Sequence, residues 1–318
     1  MKNHTDVLIF HTAICVGASQ ISPDGRRKFE ICVAPSRKRS GMGIRMRIVN
    51  LIENTKGNGE CLFEHGLSFY VETANHKLLV DAGATNAFME NAHNLGVNLS
   101  QVDTLILSHG HYDHAGGILG FVKENPGARI LMQQGADGEY YHKSGEIERY
   151  IGINPQIMEL SQIELIEGNR KIDDEIFLFS GVTGRKLWPL GNKELKVKRE
   201  GVFYQDEFTH EQYLVLTENG KRILLSGCAH NGILNILEKY REIYKADPDA
   251  VISGFHMRKK SDYTGEDMEI IQKIGAELKK TDTVYYTGHC TGEVPYQALK
   301  EILGSQIVYV HSGDIIKL

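Results

Sequence analysis

The stretch "LSHGHYDHAGG", residues 107–117, places His109, His111, Asp113 and His114 within six positions, after the apolar run "VDTLIL" and before a Gly-Gly pair. This order predicts a buried strand, a tight loop and the start of a helix. The loop falls at the carboxyl end of a strand, where α/β proteins gather their ligands. His109 and His111, two apart, can point the same way; Asp113 and His114 turn towards a second point nearby. Imidazole and carboxylate are ligands that zinc, manganese and iron accept. A polar turn with solvated histidines accounts for one histidine, not for four ligand-type side chains in six positions. We read the loop as a cradle offering two donors to each of two adjacent metals.

Four donors do not complete two sites, and other strand ends supply candidates. "RILLSGCAHNG" offers Cys228 and His230, "VISGFHM" offers His256, "VYYTGHCTGE" offers His289 and Cys290, and "DEFTHEQ" offers His210. The first three repeat strand, glycine, histidine, a recurrence that core packing does not produce. Taken singly, each is also compatible with a hydrogen-bonded histidine beside a site rather than in it.

Working outward, short runs rich in Val, Ile, Leu and Tyr recur from "RIVNLI" (47–52) to "QIVYVH" (306–311), and most are bounded by Gly, Asn or Asp. "ILNILEKYREIY" (233–244) and "EDMEIIQKIGAELKK" (266–280) carry apolar residues at helical spacing, and "YQALKEIL" (296–303) is a shorter helix. Strands first, then a strand–helix alternation, predict a layered α/β protein with helices outside a pair of sheets. Residues 133–205 are the least regular; a long aromatic-containing insertion of this kind reads as a lid over a site. Residues 1–43, ending in the basic linker "APSRKRSGMGIR", read as a flexible N-terminal extension, or as sequence upstream of a natural start at Met42 or Met46.

The chain has 318 residues, 41% of them hydrophobic and 24% charged, with a net charge of −5. That length buries a sizeable core, and the acidic balance excludes nucleic-acid binding through a basic surface. Five cysteines without a CxxC pair fit reduced thiols of the cytoplasm better than a disulfide framework. "VLIFHTAICVG" (7–17) is a poor signal peptide, and no apolar run is long enough to span a membrane.

"HGHYDH" resembles the HxHxDH motif of the metallo-β-lactamase superfamily, "LLVDAG" (78–83) its strand-Asp-Gly element with Asp81 beneath the metals, and "TGHCTGE" its last metal histidine. "ENTKGN", "EHGLSFYVE", "GCAHNGILNIL" and "SGFHM" are similar to one branch of it, that of the 7,8-dihydropterin-6-methyl-4-(β-D-ribofuranosyl)aminobenzene-5′-phosphate synthases. The resemblance covers residues 46–318. It implies an αββα sandwich, two mixed sheets packed face to face with helices outside, over a domain of 44–318. It implies two divalent metal ions, zinc first and manganese or iron as alternatives, on His109, His111, Asp113, His114 and His289. His230 is preferred as the sixth ligand, with His210 its competitor. The bridging aspartate of the superfamily follows a strand as "GD"; here the position reads "GC", so Cys228 is either a thiolate ligand or a small buried residue.

The function this implies is a metal-dependent hydrolase that turns a metal-bound hydroxide on a phosphoester or related small anionic substrate. Asp113 would be a catalytic residue that orients the water, with His65 and His256 contacting the substrate's anionic groups. Two alternatives remain. One is a transferase that displaces pyrophosphate from a pterin in methanopterin-type cofactor synthesis; the other is a non-catalytic metal-binding module. A flavin-coupled redox role would need an appended domain. No nucleic-acid or membrane partner is expected.

Overall fold

A computed structural model describes residues 46–57 and 59–318; the proposed extension 1–43 lies outside the described residues. The strands in chain order are β1 (Arg47–Ile52), β2 (Ser68–Glu72), β3 (Lys77–Val80), β4 (Thr104–Leu107), β5 (Arg129–Gln133), β6 (Glu139–Ser144), β7 (Ile147–Tyr150), β8 (Ile163–Ile166) and β9 (Arg170–Lys171). They continue with β10 (Ile176–Phe179), β11 (Leu195–Arg199), β12 (Val202–Gln205), β13 (Tyr213–Glu218), β14 (Lys221–Leu225), β15 (Ala250–Ile252), β16 (Val284–Thr287), β17 (Ile307–Tyr309) and β18 (Ile315–Lys317). The helices are α1 (Ala87–Asn94), α2 (Tyr112–Ala115), α3 (Ile118–Glu124), α4 (Ile233–Tyr244), α5 (Gly265–Leu278) and α6 (Glu293–Leu303).

One seven-stranded sheet runs β18-β1-β2-β3-β4-β5-β8 and a second β17-β16-β15-β14-β13-β10-β9. Both are mixed: β3, β4, β5 and β8 pair in parallel, as do β14 to β17, while the remaining neighbours are antiparallel. Parallel strands covered on both faces need apolar side chains at every position, which is why β4 reads "TLIL" and β15 "AVI" without alternation. The two-residue period of a strand then sorts those side chains. Leu78, Val80 and Ile106 meet Leu178, Leu214, Leu216, Ile223, Leu225 and Ile252 between the sheets. Leu79, Leu105 and Leu107 face the other way, onto Phe88, Ala92, Ile118 and Phe121 of α1 and α3. On the far side Val215, Leu224 and Val251 pack on Ile236, Leu237 and Tyr240 of α4 and on Ile271 and Ile274 of α5. The result is the expected sandwich, helix on sheet on sheet on helix. Truncating one fully buried leucine of the inter-sheet core, Leu216→Ala for instance, costs about 2–5 kcal/mol on general grounds.

α4 begins and ends at the residues its periodicity predicts, Ile233 and Tyr244, and stops where Lys245 takes a left-handed conformation. α5 starts on a capping box, Thr264 accepting from the Asp267 amide while the Asp267 carboxylate accepts from the Thr264 amide. α1 and the closing strand β18 carried no signal strong enough to place them from sequence.

The segment 133–205 differs from the single insertion the sequence suggested. Its middle belongs to the main sandwich: β8 extends the first sheet, β9 and β10 the second. Only its two flanks leave the sandwich. They meet in a third, four-stranded sheet, ordered β12-β11-β6-β7, whose inner face holds Tyr140, Ile151, Leu195, Val197 and Phe208. This face lies against the histidine cluster: the Phe208 ring stacks on His230 (centroids 4.5 Å, 6° between planes) and Tyr140 lies 4.1 Å from the His210 ring. No helix among the described residues is long and apolar enough to cross a membrane.

Candidate metal centre

The carboxyl ends of β3, β4, β14 and β16 converge on one edge of the sandwich, and each delivers a polar loop there. Asp81 follows β3 in a left-handed conformation (φ 61°). Its carboxylate accepts the Ser108 amide and the Ser108 hydroxyl, both at 2.7 Å, which fixes the loop that follows β4. Helix α2 starts at Tyr112, earlier than the sequence pattern suggested, so Asp113 and His114 sit in its single turn rather than in the loop before it. Gly110 is required by a close approach: a Cβ there would stand 2.1 Å from the Ala136 carbonyl. Gly227 is required by another, since its Cβ would meet Ser108 Oγ at 2.2 Å as the "GCAH" loop crosses the "HGH" loop. Ala229, His256 and His289 also take left-handed conformations, at φ 53°, 48° and 49°. Such strain gathers at sites where the surroundings over-determine a loop.

The loops bring together every metal ligand the sequence nominated. His109, His111 and His230 place one ring nitrogen each within 4.8 Å of the others, and His65, Asp113 and His289 do the same with a carboxylate oxygen and two ring nitrogens. Asp113 Oδ2 lies 3.7 Å from His114 Nε2, 3.5 Å from His289 Nε2 and 3.4 Å from His65 Nε2. Cys228 joins His109 and His114 in a third overlapping group, with its Sγ 3.3 Å from His114 Nε2.

Hydrogen bonds at the far side of four of these rings decide which nitrogen faces the cluster. Because the Ser108 hydroxyl donates to Asp81, it accepts from His109 Nδ1 (2.8 Å). His114 Nδ1 donates to Asp81 Oδ2 (2.7 Å), His230 Nδ1 to Asn192 Oδ1 (3.2 Å) and His289 Nδ1 to Asn54 Oδ1 (2.8 Å). For His109, His230 and His289 the bond fixes the tautomer and leaves Nε2 with a free lone pair; for His114 it fixes the ring's orientation. The Nε2 atoms of His109, His111, His230 and His289 are buried and have no hydrogen-bond partner among the described residues. One such orphan costs on the order of 1–3 kcal/mol; three of them, on His109, His111 and His230, converge, and the fourth, on His289, converges with Asp113 and His65, so both groups are candidate cation sites. His210 differs. Its Nδ1 accepts the Gly110 amide (3.0 Å) and its Nε2 faces Asp206 Oδ2 (3.2 Å), so both nitrogens are taken.

Electrostatics keeps His109, His111 and His230 unprotonated, while His114 holds a proton that a cation would have to displace. Burial, reinforced by His210, holds the His111 imidazole down at about 3, unprotonated and ready to donate a lone pair. His109 and His230 are likewise pushed well down, chiefly by burial. Burial opposes the charged form of His114 too, but the Asp81 and Asp113 carboxylates outweigh it and raise this imidazole to about 9. Asp113 is held below the usual carboxylate range because His114 and His289 overcome the cost of its burial.

Of the substrate-contact candidates, His65 stands at the open side of the cluster, its side chain half exposed and its ring stacked on His289 (5.3 Å, 18°). The protein around it lowers its pKa to about 4. His256 lies against His230 (4.1 Å between centroids) and borders a cleft lined by Leu187, Pro189, Met257, Arg258 and Tyr263.

Sequence reasoning missed the residues that hold these loops. Glu211 is buried; it accepts the amides of His230 (2.7 Å) and Asn231 (3.0 Å) and the Tyr213 hydroxyl (2.5 Å). Glu53, equally buried, accepts the amide of His289 (3.0 Å), and Asn54 also donates to the His289 carbonyl (3.2 Å). Gln212 donates to the carbonyls of Leu107 and Leu131 at 2.7 and 3.2 Å, which fastens β13 across the ends of β4 and β5. The available signal was a charged or amide residue next to a strand end, in "LIEN" and "HEQY".

Residues 62–289 match the model of the metallo-β-lactamase superfamily, and the chain belongs to that superfamily. Among individual proteins, it is 30% identical over 272 residues to the uncharacterized protein MJ0448 of Methanocaldococcus jannaschii, covering 84% of this chain and 98% of that one. It is 27% identical over 295 residues to the same organism's 7,8-dihydropterin-6-methyl-4-(β-D-ribofuranosyl)-aminobenzene-5′-phosphate synthase, covering 86% and 96%. The crystal structure of Tm1679, described as a metal-dependent hydrolase of the β-lactamase superfamily, superposes with a TM-score of 0.72 at 30% identity, over 86% of this chain and 99% of that one.

Proposed function

We propose that this protein is a cytoplasmic metallohydrolase that holds two divalent cations, zinc foremost, and cleaves a phosphoester or a related small anionic substrate. The observation that carries the reading is the set of four buried Nε2 atoms, partnerless among the described residues, on His109, His111, His230 and His289, beside the Asp113 carboxylate. His109, His111 and His230 would hold one ion, and Asp113, His114 and His289 the other, with the Cys228 sulfur, grouped with His109 and His114, as a further donor. When bound, such ions supply Lewis acidity and bring the pKa of a coordinated water to roughly 7.

The chain's own residues do the rest. Asn54 and Asn192 keep the rings of His289 and His230 in one tautomer and orientation, and Asp81 fixes the orientation of His114. Asp113 stays ionised and presents Oδ2 between His289 and His65, where it can orient an attacking water. His65, neutral near pH 7, can donate from or accept at its ring nitrogens on the solvent side. The third sheet screens His111 and His230 from water and would act as the lid, and His256 would contact the substrate. Reduced, unpaired Cys61, Cys228 and Cys290 support a cytoplasmic setting.

The test is elemental analysis of the purified protein together with cleavage of bis-p-nitrophenyl phosphate. Two ions per chain and metal-dependent cleavage are expected; full activity in metal-free protein would sink the reading. The similarity to a named synthase favours a second one, displacement of pyrophosphate from a pterin by an aromatic amine. Product analysis with a dihydropterin pyrophosphate separates the two.

A further inference from the structure

Beside His109 and His114, two thiols from different strand ends lie against each other. Cys228 follows β14 and Cys290 follows β16; their sulfur atoms and a ring nitrogen of His256 all lie within 4.8 Å of one another. Cys290 Sγ stands 3.5 Å from the Cys228 carbonyl and accepts the His256 amide at 3.3 Å. Its place is kept open by Gly254, where a Cβ would come within 2.4 Å of the sulfur. Both cysteines are buried and unbonded, and Cys228 Sγ is the atom 3.3 Å from His114 Nε2. A buried cysteine that serves as a small apolar filler meets hydrocarbon; these two meet each other, an imidazole and an amide N–H.

We propose that Cys228 and Cys290 are an oxidisable dithiol, the site at which a peroxide installs a disulfide that withdraws a sulfur donor from the metal cluster. One thiolate sulfur attacks the peroxide O–O bond, which breaks to give a sulfenic acid and water. The second thiol then attacks the sulfenic sulfur, the S–O bond breaks and a second water leaves. Two electrons and two thiol protons pass to the peroxide, so one H2O2 gives one disulfide and two waters. The sulfurs start within 4.8 Å and finish about 2.05 Å apart, a change within reach of side-chain rotation. Cys228 cannot make that bond and keep its contact with His114 unchanged. The peroxide is little larger than water, and the cluster is open to solvent at His65.

The experiment uses the full chain, stripped of metal by a chelator, treated with hydrogen peroxide, then denatured and alkylated. A mass lower by about 2 Da before alkylation is expected, with two of the five thiols protected and one cross-linked peptide joining residues 228 and 290. Cys290→Ser should abolish the cross-link, with circular dichroism as the control for folding. Wild-type mapping carries the test alone if that variant fails to fold. Five alkylatable thiols after treatment, or a cross-link that uses Cys15, Cys32 or Cys61, overturns the proposal. In a second arm the oxidised protein is offered zinc, and binding is read by elemental analysis: lower occupancy than the reduced form supports withdrawal of the donor, and equal occupancy overturns it. Neither readout uses hydrolysis, so a protein that cross-links and cleaves nothing would count against the hydrolase reading alone.

Discussion

The carboxylate of Asp81 and the imidazole of His114 meet at 2.7 Å, Oδ2 to Nδ1, both fully buried and neither touching solvent. The same oxygen accepts the Ser108 hydroxyl, which in turn orients His109. One side chain therefore sets two rings. Asp81→Ala should lower metal affinity by roughly 10–100-fold, the usual cost of losing such a partner. A chelator competition titration measures it, and unchanged affinity would refute the arrangement.

His230 and His210 compete for the same role in sequence and separate in structure. His230→Ala should lower bound metal and abolish cleavage of bis-p-nitrophenyl phosphate. His210→Gln, whose amide can still accept from Gly110, should keep both ions and lose mainly stability. Retention of two ions by the His230 variant would reverse the assignment.

Glu211 is the larger stability risk. Its four hydrogen-bond donors include two amides of the His230 loop, and glutamine would turn an N–H2 towards N–H groups. Glu211→Gln should destabilise the fold by about 1–3 kcal/mol, read as a lower urea midpoint at unchanged slope.

His76 gives a pH signature remote from the cluster. Its Nε2 lies 2.6 Å from Asp173 and its Nδ1 3.3 Å from Asp103, tying the β2–β3 turn to the β9–β10 turn. Burial lowers its pKa, but hydrogen bonds and charge from those two carboxylates prevail and raise it above 6.5. A raised histidine stabilises fully below its unfolded value and loses that contribution as pH climbs through the folded one. Unfolding free energy should therefore fall as pH rises above 6.5, and His76→Asn should remove that part of the slope. Urea titrations at a series of pH values decide the point.

How much of this was legible depends on distance along the chain. His109, His111, Asp113 and His114 announce themselves because one strand and one helical turn position all four. His230 and His289 were readable because each follows a strand and a glycine. Asn54 and Asn192 were not, since they reach His289 and His230 only after folding brings them across 235 and 38 residues. The helices of the second half follow their apolar periodicity because each buries one face. The third sheet escaped notice for the opposite reason: β7 is exposed along its whole length and β6 is half-buried over most of it, so no alternation marks them.

That third sheet has a consequence for assembly. β6 leaves the first seven-stranded sheet and β11 leaves the second, and they pair, Tyr141 beside Lys196. Neither half of the sandwich can build this wall by itself, so its pairing must wait until both halves stand. Long loops closed for few buried contacts form late and open early. Proteolysis under native conditions should therefore cut first in β6, β7, β11 and β12, and so unroof His111 and His230 while the sandwich beneath is still folded.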